Sequence, residues 1–306
     1  CLVGSEDVYK RQFLYTMKKH RRRQNIMKFK KIFAITLMAG LAMTSLVGRN
    51  AAKEDSGNAE AAKKVVVGTN PEFPPFEYQD KEGNMEGFDL DLMTAISEDQ
   101  GFEVDFQSLE FDALTGALAT GQIDAAAAGI SVTPERNEQV LFSNPYMNAS
   151  LGIVVTKDNT SIKSADDLKG KVVCAQLGTT GAEAATKLKE EGVIKDAKLL
   201  ANFNVCMQEL ATGGSDACIN DMPVNLNYIE AHPDTVKVLD DLYATDYYAI
   251  TVGKENKDLQ DKINVGLKNI IASGKYEELC KKYDLPVSPD ITKGEITLEK
   301  ILSMKK

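Results

Sequence analysis

Arg136 is the only arginine after Arg49; every later fixed cation is otherwise a lysine. It sits at the end of Ala128-Gly129-Ile130-Ser131-Val132-Thr133-Pro134-Glu135-Arg136. Thr133-Pro134 reads as an N-cap followed by a proline at the first helical position. That places Arg136 in the first turn, where a cation opposes the helix dipole and a capping box would prefer Glu. Local helix energetics therefore do not account for the guanidinium. A planar, always-charged fork that grips a carboxylate through two hydrogen bonds does. The bland alternative is a surface pair with Glu135 or Glu138, which would contribute little. The second candidate is Asp221, in Asn220-Asp221-Met222-Pro223. Its carboxylate can take an ammonium, or it can cap the helix that Pro223 announces. Position alone leaves both readings open. A cation and an anion on opposite walls of one cleft would suit a zwitterion.

Other residue types narrow the chemistry. After the leader the chain has one histidine, His232, which argues against a Ser/His/Asp triad or a histidine metal cluster. Cys174, Cys206, Cys218 and Cys280 lack the close spacing of a zinc site, so no metal or cofactor is expected. Cys174 and Cys218 fall in strands of one half, where a bridge is conceivable. Four separate buried thiols acting as small hydrophobes is the favoured reading. The loop Gly178-Thr179-Thr180-Gly181 lacks the spacing of a nucleotide site, yet it can present N–H groups at a helix start. Phe73 and Phe111 sit at strand-end loops and can sandwich a small ligand; an aromatic there is more often core. Asp89 and Asp91 read as polar positions on an amphipathic helix.

These residues hang on an alternation of strand and helix, the signature of α/β sheets. Val65–Thr69 reads as a strand, 87–100 as a helix, 102–106 as a strand, 112–119 as a helix and 123–130 as a strand. The order then repeats: strand 171–176, helix 181–191, strand 198–203, helix 205–211 and strand 215–220. Leu118-Ala119-Thr120-Gly121-Gln122-Ile123-Asp124-Ala125 and Leu210-Ala211-Thr212-Gly213-Gly214-Ser215-Asp216-Ala217 share the pattern L-A-T-G-x-x-D-A. Between the halves, 151–156 and 247–252 read as paired crossovers. A helical stretch over 258–283, broken at Gly274, should complete the first lobe; the tail beyond Pro286 carries no clear pattern. The expected organisation is residues 63–154 plus 248–306 as lobe one and 155–247 as lobe two. Ligands of open α/β sheets gather beyond the carboxyl ends of strands. That rule selects Asn70 to Phe73, Gly129 to Arg136, the Gly178–Thr180 loop and Asp221.

Residues 1–62 read as leader rather than fold. Residues 1–12 show no periodicity and resemble a non-native start. Lys18 to Lys31 is basic and Ile32 to Gly48 is apolar, the layout of a secretory signal. Lys53 to Lys64 is a polar spacer. The first 52 residues hold 11 of the 36 basic but only 2 of the 45 acidic residues. The rest of the chain is thus far more acidic than the overall net charge of −9. Such a surface disfavours nucleic acid and anionic lipid.

The segments VGTNPEFPPFEYQDKEGNMEGFDLDL, LATGQIDAAAAGISVTPERNEQVLFSNPY and GGSDACINDMPV resemble the polar amino-acid-binding proteins of ABC importers. These are type II solute-binding proteins, family 3. The resemblance runs from about Lys64 to Tyr283. It implies an α/β fold of two lobes, each an α/β sandwich, joined by two crossover strands. It also implies an extracytoplasmic receptor, monomeric, that closes on a free amino acid and delivers it to permease subunits, with no catalysis. Arg136 would take the ligand α-carboxylate, helped by Ser131, Thr180 and the backbone at Gly129. Asp221 would take the α-ammonium. Phe73 and Phe111 match wall positions, and Gln176 one that touches the ligand side chain. Many relatives carry Asp where this chain has Asn70, which argues against a dedicated lysine or arginine binder. The signal end resembles a lipoprotein's, with Arg49 where the lipidated cysteine would stand. The rival on the same scaffold is an enzyme resembling cyclohexadienyl dehydratases, with Glu72 or Glu77 as acid or base. A third reading, a sensor input domain, would need a separate signalling partner.

Overall fold

The computed structural model describes residues 64–305; the leader, its apolar run and the spacer lie outside the described residues. Strand β1 (Val65–Thr69) buries its last three residues and is followed by a small ribbon of β2 (Glu72–Phe73), β3 (Glu77–Gln79) and β4 (Met85–Glu86). Helix α1 (Phe88–Gln100) buries Phe88, Leu92, Met93 and Ile96, and Gly101 ends it in the left-handed conformation, φ 68°. Next come β5 (Val104–Ser108), a tight 3₁₀ turn at Phe111–Ala113, α2 (Leu114–Ala119), β6 (Ala125–Ala126), α3 (Pro134–Gln139) and β7 (Val140–Asn148).

The second lobe contains β8 (Leu151–Thr156), β9 (Val172–Gln176), α4 (Thr180–Glu190), β10 (Asp196–Leu200), α5 (Phe203–Ala211), β11 (Ala217–Asp221), α6 (Met222–Ala231) and β12 (Val236–Ala244). The chain then returns through β13 (Tyr247–Gly253), α7 (Lys257–Ala272), α8 (Lys275–Lys282), α9 (Pro289–Thr292) and α10 (Leu298–Met304). Among the described residues, no helix is long and apolar enough to cross a membrane.

The two five-stranded sheets have orders β5-β1-β6-β13-β7 and β10-β9-β11-β8-β12. Each holds three parallel strands followed by two joined antiparallel. The sequence repeat has a matching hydrogen-bond role in both. Asp124 Oδ2 accepts the Val66 amide (2.9 Å), and Asp216 Oδ2 accepts the Val172 amide (2.8 Å). Each repeat aspartate thereby ties its loop to the neighbouring parallel strand, β1 in lobe one and β9 in lobe two.

Two adjacent antiparallel segments cross between the lobes. Asn148 pairs with Tyr247 at the end of the first sheet and Leu151 with Ala244 at the start of the second. The Ala149 amide donates to the Asp246 carbonyl (2.9 Å) inside the link.

Three expectations need correction. The strand expected over 123–130 pairs only at Ala125 and Ala126, because the chain must turn at Gly129, φ 56°. The strand expected over 198–203 ends at Leu200, and Phe203 already opens α5 behind the Asn202 cap, whose side chain accepts from the Val205 amide. The segments 151–156 and 247–252, expected as paired crossovers, do not pair with each other: β8 joins β11 and β12 in the second sheet, and β13 joins β6 and β7 in the first. The tail beyond Pro286, patternless in the sequence, packs on lobe one, where Ile291, Ile296 and Ile301 are buried with Leu118, Ile130 and Phe142.

Candidate functional site

Lobe one supplies three loops at strand ends. After β1 comes Asn70, whose amide donates to the Leu109 carbonyl (3.1 Å), then Phe73, buried in β2. The second loop carries Gly129 and Ser131. At Gly129 a Cβ would meet the Tyr248 ring at 3.3 Å and the Phe73 ring at 3.4 Å, in a backbone region that disfavours side chains. The third is the α3 start. Thr133 caps it as expected, accepting from the Arg136 amide (3.2 Å), and Pro134 fills the first turn. Arg136 is only 9% exposed despite its charge.

Lobe two supplies Gln176 at the end of β9, the loop at Gly178, and Thr180 at the start of α4. Thr179 caps that helix by accepting from the Ala182 amide (3.1 Å). Asp221 ends β11 and occupies the N-cap position of α6, yet its side chain makes no capping bond. The structural explanation left open by the sequence is thereby removed.

The lobes meet across these residues. Arg136 Nη1 donates to the Ser131 carbonyl (2.8 Å) in its own lobe, and Nη2 to the Gly178 carbonyl (2.7 Å) in the other. Neither Glu135 nor Glu138 is its partner; the nearest carboxylate is Glu183 in lobe two, at 4.0 Å. The guanidinium lies 5.7 Å from the centre of the Phe111 ring, a cation–π approach. Gln176 Nε2 donates to Asn70 Oδ1 (3.2 Å), and Ser131 Oγ lies 3.5 Å from Thr180 Oγ1. Asp112 closes against Gly178, where an added Cβ would come within 2.9 Å of the Asp112 Cβ.

Between the lobes lies a cavity of about 280 Å³, counting space open to solvent. All nine residues singled out from the sequence line it, together with Thr179. Neither Glu72 nor Glu77 does. The enzyme alternative thus loses both acid–base groups nominated for it.

The electrostatics are dominated by buried acids. Burial pushes Asp221 up to about 8, with the charge of Asp246 adding to the effect. Its Oδ1 and the adjacent Tyr248 hydroxyl fall short of hydrogen-bond geometry with each other, and both are buried with no other partner. Burial also raises Asp89 to about 7, opposed by hydrogen bonds from Tyr146 and the Gly129 amide. Glu77 is raised well above the usual carboxylate range by burial, then by Asp89 and Asp221.

Two supporting residues were not visible as such in the sequence. Asp89, read there as a polar helix position, is 1% exposed; its Oδ2 accepts from the Gly129 amide (2.8 Å) and the Tyr146 hydroxyl (2.5 Å). The Gly129 N–H is thus engaged, and its carbonyl is the backbone group it can offer the cavity. Asp246, in the return crossover, accepts from Thr180 Oγ1 (2.8 Å), the Tyr247 amide (2.8 Å) and Lys305 Nζ (3.0 Å). The signal for Asp89 was its place one residue inside a helix that starts beside the cleft. For Asp246 there was no local signal.

Residues 65–286 match the family described as bacterial extracellular solute-binding proteins, family 3. The chain is 32% identical over 262 residues to the probable histidine-binding protein of Neisseria gonorrhoeae, covering 84% of this chain and 96% of that one. It is 34% identical over 233 residues to the arginine-binding extracellular protein ArtP of Bacillus subtilis, covering 75% and 89%. Among solved structures, an ancestral arginine-binding protein bound to arginine aligns with a TM-score of 0.68 at 40% identity, covering 72% of this chain and 97% of that one. Its cleft lies between two like-built lobes on a type II periplasmic-binding fold, and the chain belongs to the family 3 bacterial extracellular solute-binding proteins.

Proposed function

We propose that this protein is an extracytoplasmic receptor that captures a free, polar L-amino acid by closing its two lobes and delivers it to the membrane subunits of an ABC importer. The observation that carries the reading is the pairing of Arg136 from one lobe with the partnerless Asp221 oxygen from the other, on one cavity. The remaining donors of the Arg136 fork take the ligand α-carboxylate, with Ser131 and Thr180 hydroxyls beside it. Asp221 and the Gly129 carbonyl take the α-ammonium. Phe73 and Phe111 wall the ligand, while Asn70 and Gln176 face its side chain. Neither half-site holds both ends of a zwitterion, so binding and hinge closure are one event. Micromolar affinity requires about −8 kcal/mol, within reach of two charge-assisted sites in a closed cleft.

The protein works as a monomer, since each cavity is completed within one chain. It has no catalytic role in this reading. The test is a thermal-shift screen of the purified protein against the common L-amino acids, with prephenate and arogenate included. A ligand at about a thousand times its Kd adds about 4 kcal/mol of stability. A clear shift with a few amino acids that remain unchanged on incubation is the expected result, and it also names the ligand. Conversion of prephenate or arogenate without any amino-acid shift would make the protein an enzyme instead.

A further inference from the structure

Three of the four described cysteines converge in lobe two, contrary to the expectation of four separate thiols. Cys174 on β9 and Cys218 on β11 are register partners on adjacent parallel strands, so their side chains leave the same face of the sheet. Cys206 reaches that face from α5, which covers it. The three sulfurs all lie within 4.8 Å of one another and are fully buried. All are free thiols. The fourth, Cys280, lies on α8 in lobe one and takes no part.

Cys174 Sγ donates weakly to the Cys206 carbonyl, at 3.6 Å. Ser215 Oγ, beside the Cys174 sulfur, is buried and short of hydrogen-bond geometry with any partner.

We propose that Cys174, Cys206 and Cys218 form a buried three-sulfur site for one closed-shell, thiophilic divalent cation of the zinc type. Zinc–sulfur bonds of about 2.3 Å set ligand sulfurs about 3.8 Å apart in a tetrahedral site. The cluster needs to contract by no more than about 1 Å to meet that spacing. Soft thiolates select such ions over magnesium or calcium. Each coordinated thiol releases its proton to solvent, and Ser215 Oγ is the candidate fourth donor. The site lies two residues before Gln176 and three before Asp221 along their strands. It is built entirely within one lobe, so it stands or falls independently of the amino-acid reading.

The test titrates the reduced, metal-free protein with Cd(II) as the probe, under anaerobic conditions. A thiolate-to-metal charge-transfer absorption saturating at one ion per chain is expected, reversed by excess Zn(II). Cys206→Ala should weaken Cd(II) binding at least tenfold, and Cys280→Ala should leave it unchanged. Absence of the absorption, or its persistence at full affinity in folded Cys206→Ala protein, would overturn the proposal. X-ray absorption at the cadmium edge of the unmutated protein gives a second readout that no folding defect can disturb. Three sulfur neighbours are expected, and two or fewer would overturn the site.

Discussion

Arg136 divides its donors between Ser131, Gly178 and the cavity, and only a planar fork can do this in one geometry. Arg136→Lys replaces the fork with a single ammonium. It is expected to weaken amino-acid binding by at least about tenfold, or about 1.4 kcal/mol, read by titration calorimetry; unchanged affinity would remove the carboxylate role. Asp221 makes a sharper prediction, because its capping role is excluded. Asp221→Asn should weaken amino acids far more than their des-amino analogues, and equal losses would show that the carboxylate does not meet the ammonium.

At the scale of elements, the site depends on how each strand is held at its start as well as on what it carries at its end. Asp124 and Asp216 perform the same task in the two lobes, each pinning the neighbouring parallel strand through one amide. The strand pinned by Asp216 is β9, which ends at Gln176. Asp216→Ala leaves the Val172 amide without that acceptor and should destabilise the fold by about 1–3 kcal/mol, measured by urea unfolding. A variant as stable as the parent would show that the repeat is an accident of an alanine- and glycine-rich chain. Helix α1 contributes differently. Its buried Asp89 fixes the Gly129 turn from below, so a residue outside the cavity sets the position of backbone that lines it.

For the whole molecule, folding buries three acids at and behind the cleft wall. Glu77, Asp89 and Asp221 are all raised by burial, and Glu77 is raised further by the other two. A carboxyl raised in the fold above its unfolded value of about 4.3 contributes most to stability in acid. That contribution falls as pH climbs past the unfolded value toward the folded one. Glu77→Gln removes the penalty, so variant and parent should melt together near pH 4 while the variant is the more stable at pH 8. Thermal unfolding at the two values decides it; a variant that is less stable at pH 8 would mean that the Glu77 charge is compensated.

The sequence by itself determined the scaffold type and singled out residues that line the cleft. A lone arginine placed against its helix dipole, an aspartate at a strand end and an alternation of strand and helix are local patterns, legible because their physics acts within a few residues. The repeat was legible for the same reason. Tertiary structure decided everything that depends on distant residues meeting. Asp89 finds the Gly129 amide 40 positions away, and Asp246 finds the Thr180 hydroxyl across 66. Neither helix periodicity nor turn chemistry encodes such encounters; packing of the lobes creates them. Asp221 illustrates the division: its position allowed either a cap or a ligand, and only the side-chain direction in the folded cleft removed the first. The three thiols are a second case. Spacings of 32 and 12 residues carry no metal signature, yet two parallel strands and the helix covering them bring the sulfurs to one point.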